Sequence, residues 1–359
     1  MKKSIVQLKG FSKSYGNKKV IDNVDLEVYE GEFLTLLGSS GCGKTTILRA
    51  ISGLDKPTKG KVYIDGIDVT NLEPQKRQVN TIFQNYALFP LMSIYDNVAF
   101  GLKMKKVPKD KIDKRVKEML ELVHLEGYEN RKPKELSGGE QQRVSIIRGL
   151  INNPKVLLLD EPLSALDLKL RKKMHVELKQ LQKKLGITFV YVTHDQDEAL
   201  SMSDRVVVLK EGRIEQIGSP VDIYEKPKTL YVADFLGEMN LFKGVVKSFK
   251  DVRCVVQVND NLKLDVLDKK YKVGDEVNII VRPENIKLFT NDKRGNGFKG
   301  IVSDLIYDGY YTKVLVKYNK DIYKVIVTGN DKLYKKGDEV FLYWALEDAI
   351  VLRCEDEKK

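Results

Sequence analysis

The feature that most constrains the fold is an eight-residue glycine-rich segment, Gly-Ser-Ser-Gly-Cys-Gly-Lys-Thr, at positions 38–45. It follows an apolar run at 33–37 and precedes a predicted helix at 44–52, so it joins a buried strand to a helix start. Glycines let the backbone turn tightly, and successive N–H groups and the helix N-terminus then face phosphate oxygens. The segment therefore predicts a binding site for a nucleoside triphosphate on an α/β fold.

Two side chains of this segment have distinct predicted roles. Lys44 brings a positive charge to the β- and γ-phosphates, and the Thr45 hydroxyl supplies an oxygen ligand for Mg²⁺. Cys42 is interpreted as a small residue that fits the turn, and we expect its alkylation to inhibit hydrolysis. The predicted nucleotide-binding residues here are Gly38, Ser39, Ser40, Gly41, Cys42, Gly43, Lys44, Thr45 and Thr46.

A pair of acidic residues, Asp160 and Glu161, ends the apolar run 156–159. Acidic residues at the end of a strand are common on protein surfaces, and alone they would carry little weight. Together with the glycine-rich segment they suit phosphoryl transfer. We expect Asp160 to hold the hydrated metal and Glu161 to orient or deprotonate the attacking water.

The 359-residue length and a change of rhythm near residue 236 predict two domains. Up to about 235, short apolar runs alternate with helical patterns, such as the stripes at 112–123 and 170–185, which predicts parallel strands with helices. Residues 24–28 alternate instead and predict an antiparallel edge strand. After 236 the chain consists of short alternating stretches broken by turns.

The second half repeats itself. The segment Phe-Lys-Gly-Val-Val at 242–246 returns as Phe-Lys-Gly-Ile-Val at 298–302. The segment at 271–277 returns at 334–340, each with a Gly-Asp turn, and an acidic turn follows each copy. We predict two related small β-barrel-like units, with a chance recurrence of common turns as the alternative.

The segment Leu-Ser-Gly-Gly-Glu-Gln-Gln-Arg at 136–143, upstream of the acidic pair, makes the first half resemble the nucleotide-binding subunit of an ATP-binding cassette (ABC) transporter. The resemblance implies a P-loop NTPase domain over 1–235, with a helical subdomain at about 85–155 and an antiparallel β subdomain. It also implies ATP and Mg²⁺ as cofactors and a head-to-tail dimer, in which the Ser-Gly-Gly loop of one copy closes the ATP bound by the other.

The remaining site residues carry over by matching sequence. Tyr15 matches the aromatic that stacks on adenine, and Gln84 matches the glutamine that senses Mg²⁺ and the reacting water. Asp167 matches a loop that crosses the dimer interface, and His194 matches a histidine that contacts the γ-phosphate. The implied catalytic residues are Glu161, His194, Lys44 and Gln84, the implied metal ligands are Thr45, Gln84 and Asp160, and Ser137, Gly138, Gly139 and Asp167 join the nucleotide contacts.

The resemblance also indicates a class of transporter. A separate ATPase followed by an all-β tandem OB-like domain over 236–359 is typical of importers with a transport-associated OB domain, which work with two permease subunits and, indirectly, a solute-binding protein. The segments at 80–90, 97–102 and 233–242 resemble polyamine importers most. Sugar, glycerol-phosphate, sulfate and ferric-ion importers stay open. One position departs from many importers, since Glu140 stands where they have glutamine.

Charge and cysteine content bear on partners and compartment. The net charge of +11 first suggests nucleic acid, but residues 1–19 carry six lysines and no acid, and 103–117 carry eight bases against two acids. These stretches give +6 and +6, so the rest is near neutral and no nucleic-acid partner is expected, although a non-transport ABC ATPase is a weaker alternative. Three separated cysteines favour a reducing compartment, and the start of the sequence lacks a signal-peptide pattern. The resemblance to importer ATPases implies a peripheral subunit at the cytoplasmic face of the plasma membrane.

Overall fold

The structure is a computed structural model that describes residues 2–250, 252–267, 270–290, 296–329 and 334–354. The chain divides into two compact units, Met1–Val221 and Asp222–Lys359. This division lies upstream of the domain boundary predicted after 235. The physical reason is Arg282, whose Nη1 donates to the carbonyl oxygens of Ala233 at 2.9 Å and Gly237 at 3.2 Å and so ties that segment to the second unit. The predicted domain ends at 1 and 359 lie outside the described residues.

A six-stranded and a four-stranded β-sheet frame the described part of the first unit. Its strands are β1 Ser4–Tyr15, β2 Lys18–Tyr29, β3 Phe33–Gly38, β4 Lys59–Ile64, β5 Ile67–Asp68, β6 Val79–Ile82, β7 Val156–Asp160, β8 Thr188–Thr193, β9 Arg205–Lys210 and β10 Arg213–Gly218. The larger sheet has the order β10-β9-β3-β8-β7-β6 and is parallel except for β10. The smaller sheet, β2-β1-β4-β5, is antiparallel with β2 at its edge, which confirms the strand type predicted for 24–28.

The parallel strands are apolar because both of their faces are covered. All six residues of β3 are buried; Phe33 packs into the core that contains the helical segments, and Leu34 and Leu36 pack into the core shared with the antiparallel sheet. In β7, Leu157 packs into the first of these cores and Val156 into the second. The parallel register brings the carboxyl ends of β3, β6, β7 and β8 to one edge of the sheet, where α/β proteins place their sites.

Helices connect these strands and carry the predicted apolar stripes. They are α1 Lys44–Ser52, α2 Ile94–Met104, α3 Lys109–Leu122, α4 Gly138–Leu150, α5 Leu168–Leu185 and α6 Gln196–Met202, with short 3₁₀ turns at Pro74–Lys76 and Pro133–Glu135. In α3 the buried residues are Ile112, Val116, Met119 and Leu120, and in α5 Met174 and Leu178 are buried among the apolar side chains, as the periodicity predicts. Among the described residues, no helix has the length and apolar character needed to cross a membrane.

The described part of the second unit is mainly β-structure. Its elements are α7 Pro220–Glu225, α8 Leu230–Phe235, β11 Asn240–Lys250, β12 Arg253–Asn259, β13 Leu262–Val266, β14 Glu276–Val281, β15 Lys287–Phe289, β16 Gly297–Tyr307, β17 Tyr311–Tyr318, β18 Asp321–Thr328, β19 Glu339–Tyr343 and β20 Ala349–Arg353, with 3₁₀ turns at Pro283–Asn285 and Leu346–Asp348. Two five-stranded antiparallel sheets form, with the orders β13-β12-β11-β14-β20 and β15-β19-β16-β17-β18.

The sequence repeat corresponds to a structural repeat in these two sheets. Gly274 (φ +96°) and Gly337 (φ +95°) occupy equivalent left-handed turns, and their N–H groups donate to Val246 and Val302 at 2.9 and 2.8 Å. The last short strand of each copy crosses over, because β15 pairs with β19 and β20 pairs with β14. The repeated phenylalanine of β11 packs in the shared core against Phe298, Tyr323 and Trp344, with ring centroids 4.8 to 5.8 Å apart.

Candidate active site

The glycine-rich segment forms a tight backbone cradle between β3 and α1. Gly41 and Gly43 have φ values of +79° and +105°, which only glycine adopts without strain. A Cβ atom on Gly38 would lie 2.5 Å from the carbonyl oxygen of Leu209, so this position also excludes any side chain. The backbone therefore approaches β9 closely and turns into the start of α1, the arrangement that presents N–H groups to an anion.

Lys44 begins α1 and is buried, with 6% of its surface exposed. Its Nζ donates to the carbonyl oxygens of Gly38 at 2.7 Å and Ser39 at 3.0 Å, which holds the ammonium group across the cradle. The two carbonyl acceptors offset part of the cost of burying an ammonium group. The charge is thus fixed where the phosphates of a nucleotide would meet the backbone N–H groups.

Thr45 and Asp160 bring two oxygen atoms together at the next strand end. The Thr45 hydroxyl donates to Asp160 Oδ1 at 3.2 Å, and burial raises the pKa of Asp160 although this hydrogen bond opposes the rise. A hydroxyl and one carboxylate suit Mg²⁺, which prefers oxygen ligands and completes its shell with water and phosphate. No group of three or more His, Cys, Asp or Glu residues that could hold a metal occurs in the described part of the chain.

Glu161 and His194 form a second contact pair at this edge. His194 Nδ1 lies 3.2 Å from Glu161 Oε1, and the histidine, which follows β8, is largely exposed. Glu161 has a φ of +45° while its N–H donates to the Val192 carbonyl at 3.0 Å, so β8 holds the acid in a strained turn. Backbone strain of this kind at a residue other than glycine often marks a functional position. The pair can hold a water molecule or a phosphate oxygen at the carboxyl edge of the sheet.

The remaining nucleotide candidates flank the cradle at different distances. Tyr15 is 46% exposed, and its hydroxyl donates to Asp55 Oδ2 at 2.6 Å. Its side chain lies beside Thr46, and Lys13 Nζ lies over its ring, 4.8 Å from the ring centroid. Burial and the hydrogen bond to Asp55 raise the pKa of Tyr15. Gln84 is exposed two residues beyond β6, the strand next to β7.

Ser137 and Asp167 stand at helix starts. Ser137 caps α4, and Asp167 caps α5 by accepting the Leu170 N–H at 3.0 Å. A Cβ on Gly139 would lie 3.1 Å from the Leu170 side chain, so the glycine loop packs closely on the first turn of α5. Their described contacts lie at these helix starts and do not join Lys44 or Asp160.

Sequence reasoning missed several polar partners around the site. Asp55 and Glu140 hold Tyr15 and Ser137, and three polar residues of α5, namely Arg171, His175 and Lys179, contact Asp195, Glu198 and Asp204. The spacing of four residues along α5 was the available signal, since it places these side chains on one helix face. The sequence gives no signal for the partner of His175, which is a buried glutamate on another helix.

Comparison with known proteins gives a consistent picture. The ABC transporter family model matches residues 21–164, and the TOBE domain model matches residues 279–352. A spermidine/putrescine import ATP-binding protein PotA from Oleidesulfovibrio alaskensis is 52% identical over 316 residues, covering 87% of this chain and 85% of the relative. Its counterpart in Clostridioides difficile strain 630 is 47% identical over 357 residues, covering 99% and 100%.

Two solved structures each resemble part of the chain. A dimeric post-hydrolysis structure of the ATP-binding cassette MJ0796, bound to ADP and Pi, covers 60% of this chain and 99% of its own, with a TM-score of 0.54 and 38% identity. A structure of cbiO1 from Clostridium perfringens, part of the transporter complex cbiONQ, covers 61% and 90%, with a TM-score of 0.58 and 31% identity.

Proposed function

The chain belongs to the ATP-binding subunits of ABC transporters, enzymes that hydrolyse ATP, and from this premise we propose that it energises the import of spermidine and putrescine through a membrane permease. The observation that carries the solute class is similarity at 47% identity over 99% of the chain to a spermidine/putrescine import ATP-binding protein. Other importer solutes, namely sugars, glycerol phosphate, sulfate and ferric ion, are the competing outcomes of the test.

The proposed site consists of two half-sites on each chain. In a head-to-tail dimer, the cradle of one copy faces the Ser137 loop of the other, so two copies make two complete sites. Both Ser137 and the Gly139 N–H stand at the start of α4, where the helix dipole favours a phosphate. The dimeric cassette MJ0796 with ADP and Pi supports this arrangement.

The proposed chemistry is phosphoryl transfer to water. Lys44 and the cradle N–H groups hold the phosphates, and Thr45, Asp160 and Gln84 would hold Mg²⁺. When bound, the metal neutralises charge on the phosphate oxygens. Glu161 accepts a proton from the attacking water or orients it, and His194, 3.2 Å from that carboxylate, contacts the γ-phosphate.

The proposed membrane partner is a pair of permease subunits at the cytoplasmic face. Exposed apolar side chains cluster between β6 and α2, where Phe83 is 39%, Leu91 86% and Met92 36% exposed. Exposed apolar groups at this density suit a helix of a partner. Closure of the ATP-bound dimer would then move the permease, and phosphate release would reopen it.

The test is uptake in cells. A strain that lacks this gene, complemented with the wild-type chain, should take up radiolabelled spermidine and putrescine, and complementation with Lys44→Ala should not restore uptake. Purified wild-type chain assayed alongside reports ATP hydrolysis. Restoration of sugar, glycerol-phosphate, sulfate or iron uptake instead, with hydrolysis intact, would reject the solute class while leaving the ATPase in place.

A further inference from the structure

Three cross-helix contacts fasten α5 to α6 and the residues that flank α6. Arg171 Nη1 lies 3.5 Å from Asp195 Oδ2, His175 Nε2 lies 3.3 Å from Glu198 Oε1, and Lys179 Nζ lies 2.7 Å from Asp204 Oδ1. The three residues of α5 are four apart and therefore share one face of the helix. The segment opposite begins with Asp195, which directly follows His194.

The first of these contacts also reaches the loop before α5. Arg171 Nη2 donates to the carbonyl oxygen of Leu166 at 3.0 Å and lies 3.5 Å from that of Ser164. Ser164 in turn donates through its hydroxyl to the carbonyl oxygen of Glu161 at 2.9 Å. A single guanidinium group thus joins the loop 164–167 to the residue next to His194. Its planar fork of donors can bind both sides at once.

These contacts close a ring around the reacting edge. Glu161 contacts His194, the neighbouring Asp195 pairs with Arg171, and Arg171 holds the loop that returns through Ser164 to Glu161. Asp195 is also the cap of α6, since it accepts the Glu198 N–H at 3.2 Å, and it donates its own N–H to the Thr193 hydroxyl oxygen, so it joins Arg171 to α6 and to the end of β8. A shift of the loop 164–167 would therefore move Asp195 and turn His194.

The second contact makes this coupling stiff. Glu198 is 3% exposed, and its carboxylate accepts from the hydroxyls of Thr193 at 2.6 Å and Tyr191 at 2.8 Å. The end of β8, which leads directly into His194, is therefore bound to the buried carboxylate. Buried, fully paired networks of this kind hold one geometry.

We propose that Arg171 is a positioning residue that couples the loop 164–167 to His194, so that contact of this loop with a partner subunit sets the histidine relative to Glu161. The inference rests on the proposed function, because the dimer and the role of His194 are proposed there. Arg171 touches no reacting atom and acts on the hydrolysis step through Asp195.

The test uses conservative variants in the full chain. Arg171→Lys keeps the charge but loses the planar fork of donors that spans Asp195 and the Leu166 carbonyl. Asp195→Asn keeps a helix-capping oxygen but removes the charge. We expect each to lower kcat for ATP hydrolysis about tenfold with KM changed less than about twofold. The double variant should lose no more than Arg171→Lys alone, because both substitutions break the contact between Arg171 and Asp195. Lys179→Gln is the matched control, since it removes the third contact on the same face without touching the loop or Asp195, and should keep wild-type kcat.

A second measurement separates positioning from loss of structure. In a His194→Ala background, Arg171→Lys should cause no further loss of hydrolysis, and the thermal unfolding midpoints of all variants should match that of Lys179→Gln. Losses that multiply in the double variant, losses that persist without His194, or a kcat equal to that of the control would each overturn the proposal. A wild-type chain that hydrolyses no ATP would instead reject the proposed function.

Discussion

The Ser137 hydroxyl donates a hydrogen bond to Glu140 Oε2 at 2.8 Å, and the same oxygen accepts the Ser137 backbone N–H at 2.7 Å. Tyr128 donates to the other carboxylate oxygen at 3.1 Å. The hydrogen bond from the Ser137 hydroxyl, which is the largest influence, lowers the pKa of Glu140 and keeps it ionised. The hydroxyl proposed to meet a partner's γ-phosphate is therefore engaged by a negative charge one residue from Gly139.

Replacing this charge should strengthen ATP-dependent dimerisation. Glu140→Gln keeps an oxygen that can accept from Ser137 but removes the repulsion of a phosphate, so we expect KM for ATP to fall about two- to fivefold, the effect of one exposed charge. Steady-state hydrolysis as a function of ATP concentration measures it. Glu135→Gln is the matched control, because Glu135 accepts the Lys132 N–H at 2.6 Å and does not hold Ser137. An equal fall of KM in both variants would show that the effect comes from the overall loss of negative charge and not from the contact between Glu140 and Ser137.

Glu161 should prove indispensable for hydrolysis but not for binding. Glu161→Gln retains the hydrogen bond with His194 but cannot accept a proton, so we expect kcat to fall at least about 100-fold. The variant should also accumulate as a dimer with ATP, since the step that reopens the dimer is blocked. Light scattering after gel filtration, with and without ATP, measures this. Glu126→Gln, an exposed acid of the helical segment, serves as the control, and rapid steady-state turnover by Glu161→Gln would refute the base assignment.

The local parts of the fold could be predicted because their signals are local. The helix expected at 44–52 has these bounds in the structure, and the apolar run at 33–37 lies in strand β3, since the glycine turn and the apolar run determine them over a few residues. The strand pair β15–β19 could not be predicted in the same way. Each copy of the repeat has the same turn signals whether its last strand pairs within its own copy or with a strand of the other copy.

Side-chain partners distant in sequence were equally out of reach. Glu198 and His175 lie on different helices, and only the packing of α5 against α6 brings them to 3.3 Å. The spacing of Arg171, His175 and Lys179 indicated a shared face but not what lies opposite. The catalytic roles were implied by the resemblance to ABC subunits. The strained backbone of Glu161 is visible only in the structure.

Cys42 should react slowly with alkylating reagents at neutral pH. It is 3% exposed, its Sγ lies against Gly38 in the cradle, and burial raises the pKa of its thiol. Because the thiolate is the reactive form, we expect iodoacetamide to modify Cys42 at least about tenfold more slowly than a free thiol, and faster as the pH rises. Modification should block hydrolysis, because the added group would fill the cradle. Bound ATP should slow the alkylation further, because it would occupy the same cradle.

Peptide mass spectrometry over time measures this reaction, with the half-exposed Cys354 as an internal comparison. Cys42→Ala should hydrolyse ATP within about twofold of wild type, since alanine is smaller and keeps the turn. Full hydrolysis by alkylated protein would mean that Cys42 is only a spacer and that the cradle tolerates a larger group.

Asp65 should stabilise the first unit in a pH-dependent way. It pairs with Lys155 and with Lys3, the latter at 2.7 Å, and the hydrogen bond from Lys155, followed by that from Lys3, lowers its pKa from 3.8 to about 2. Because the folded pKa is the lower one, the stabilisation is complete above about pH 4 and is lost as the pH falls through about 2. Asp65→Asn should therefore unfold at a temperature about 2 °C below wild type at pH 6.5.

The difference between the two unfolding midpoints should shrink to about half at pH 3, because Asp65 is then largely neutral in the unfolded chain and only partly so in the folded one. Calorimetry at pH 6.5, 4.5 and 3 measures it, with Glu126→Gln as a variant that removes an exposed acid elsewhere in the same unit. A difference that stays constant with pH would show that the mutation acts through the left-handed turn at Asp65, whose φ is +50°, rather than through its charge. The ion pairs would then contribute nothing to folding.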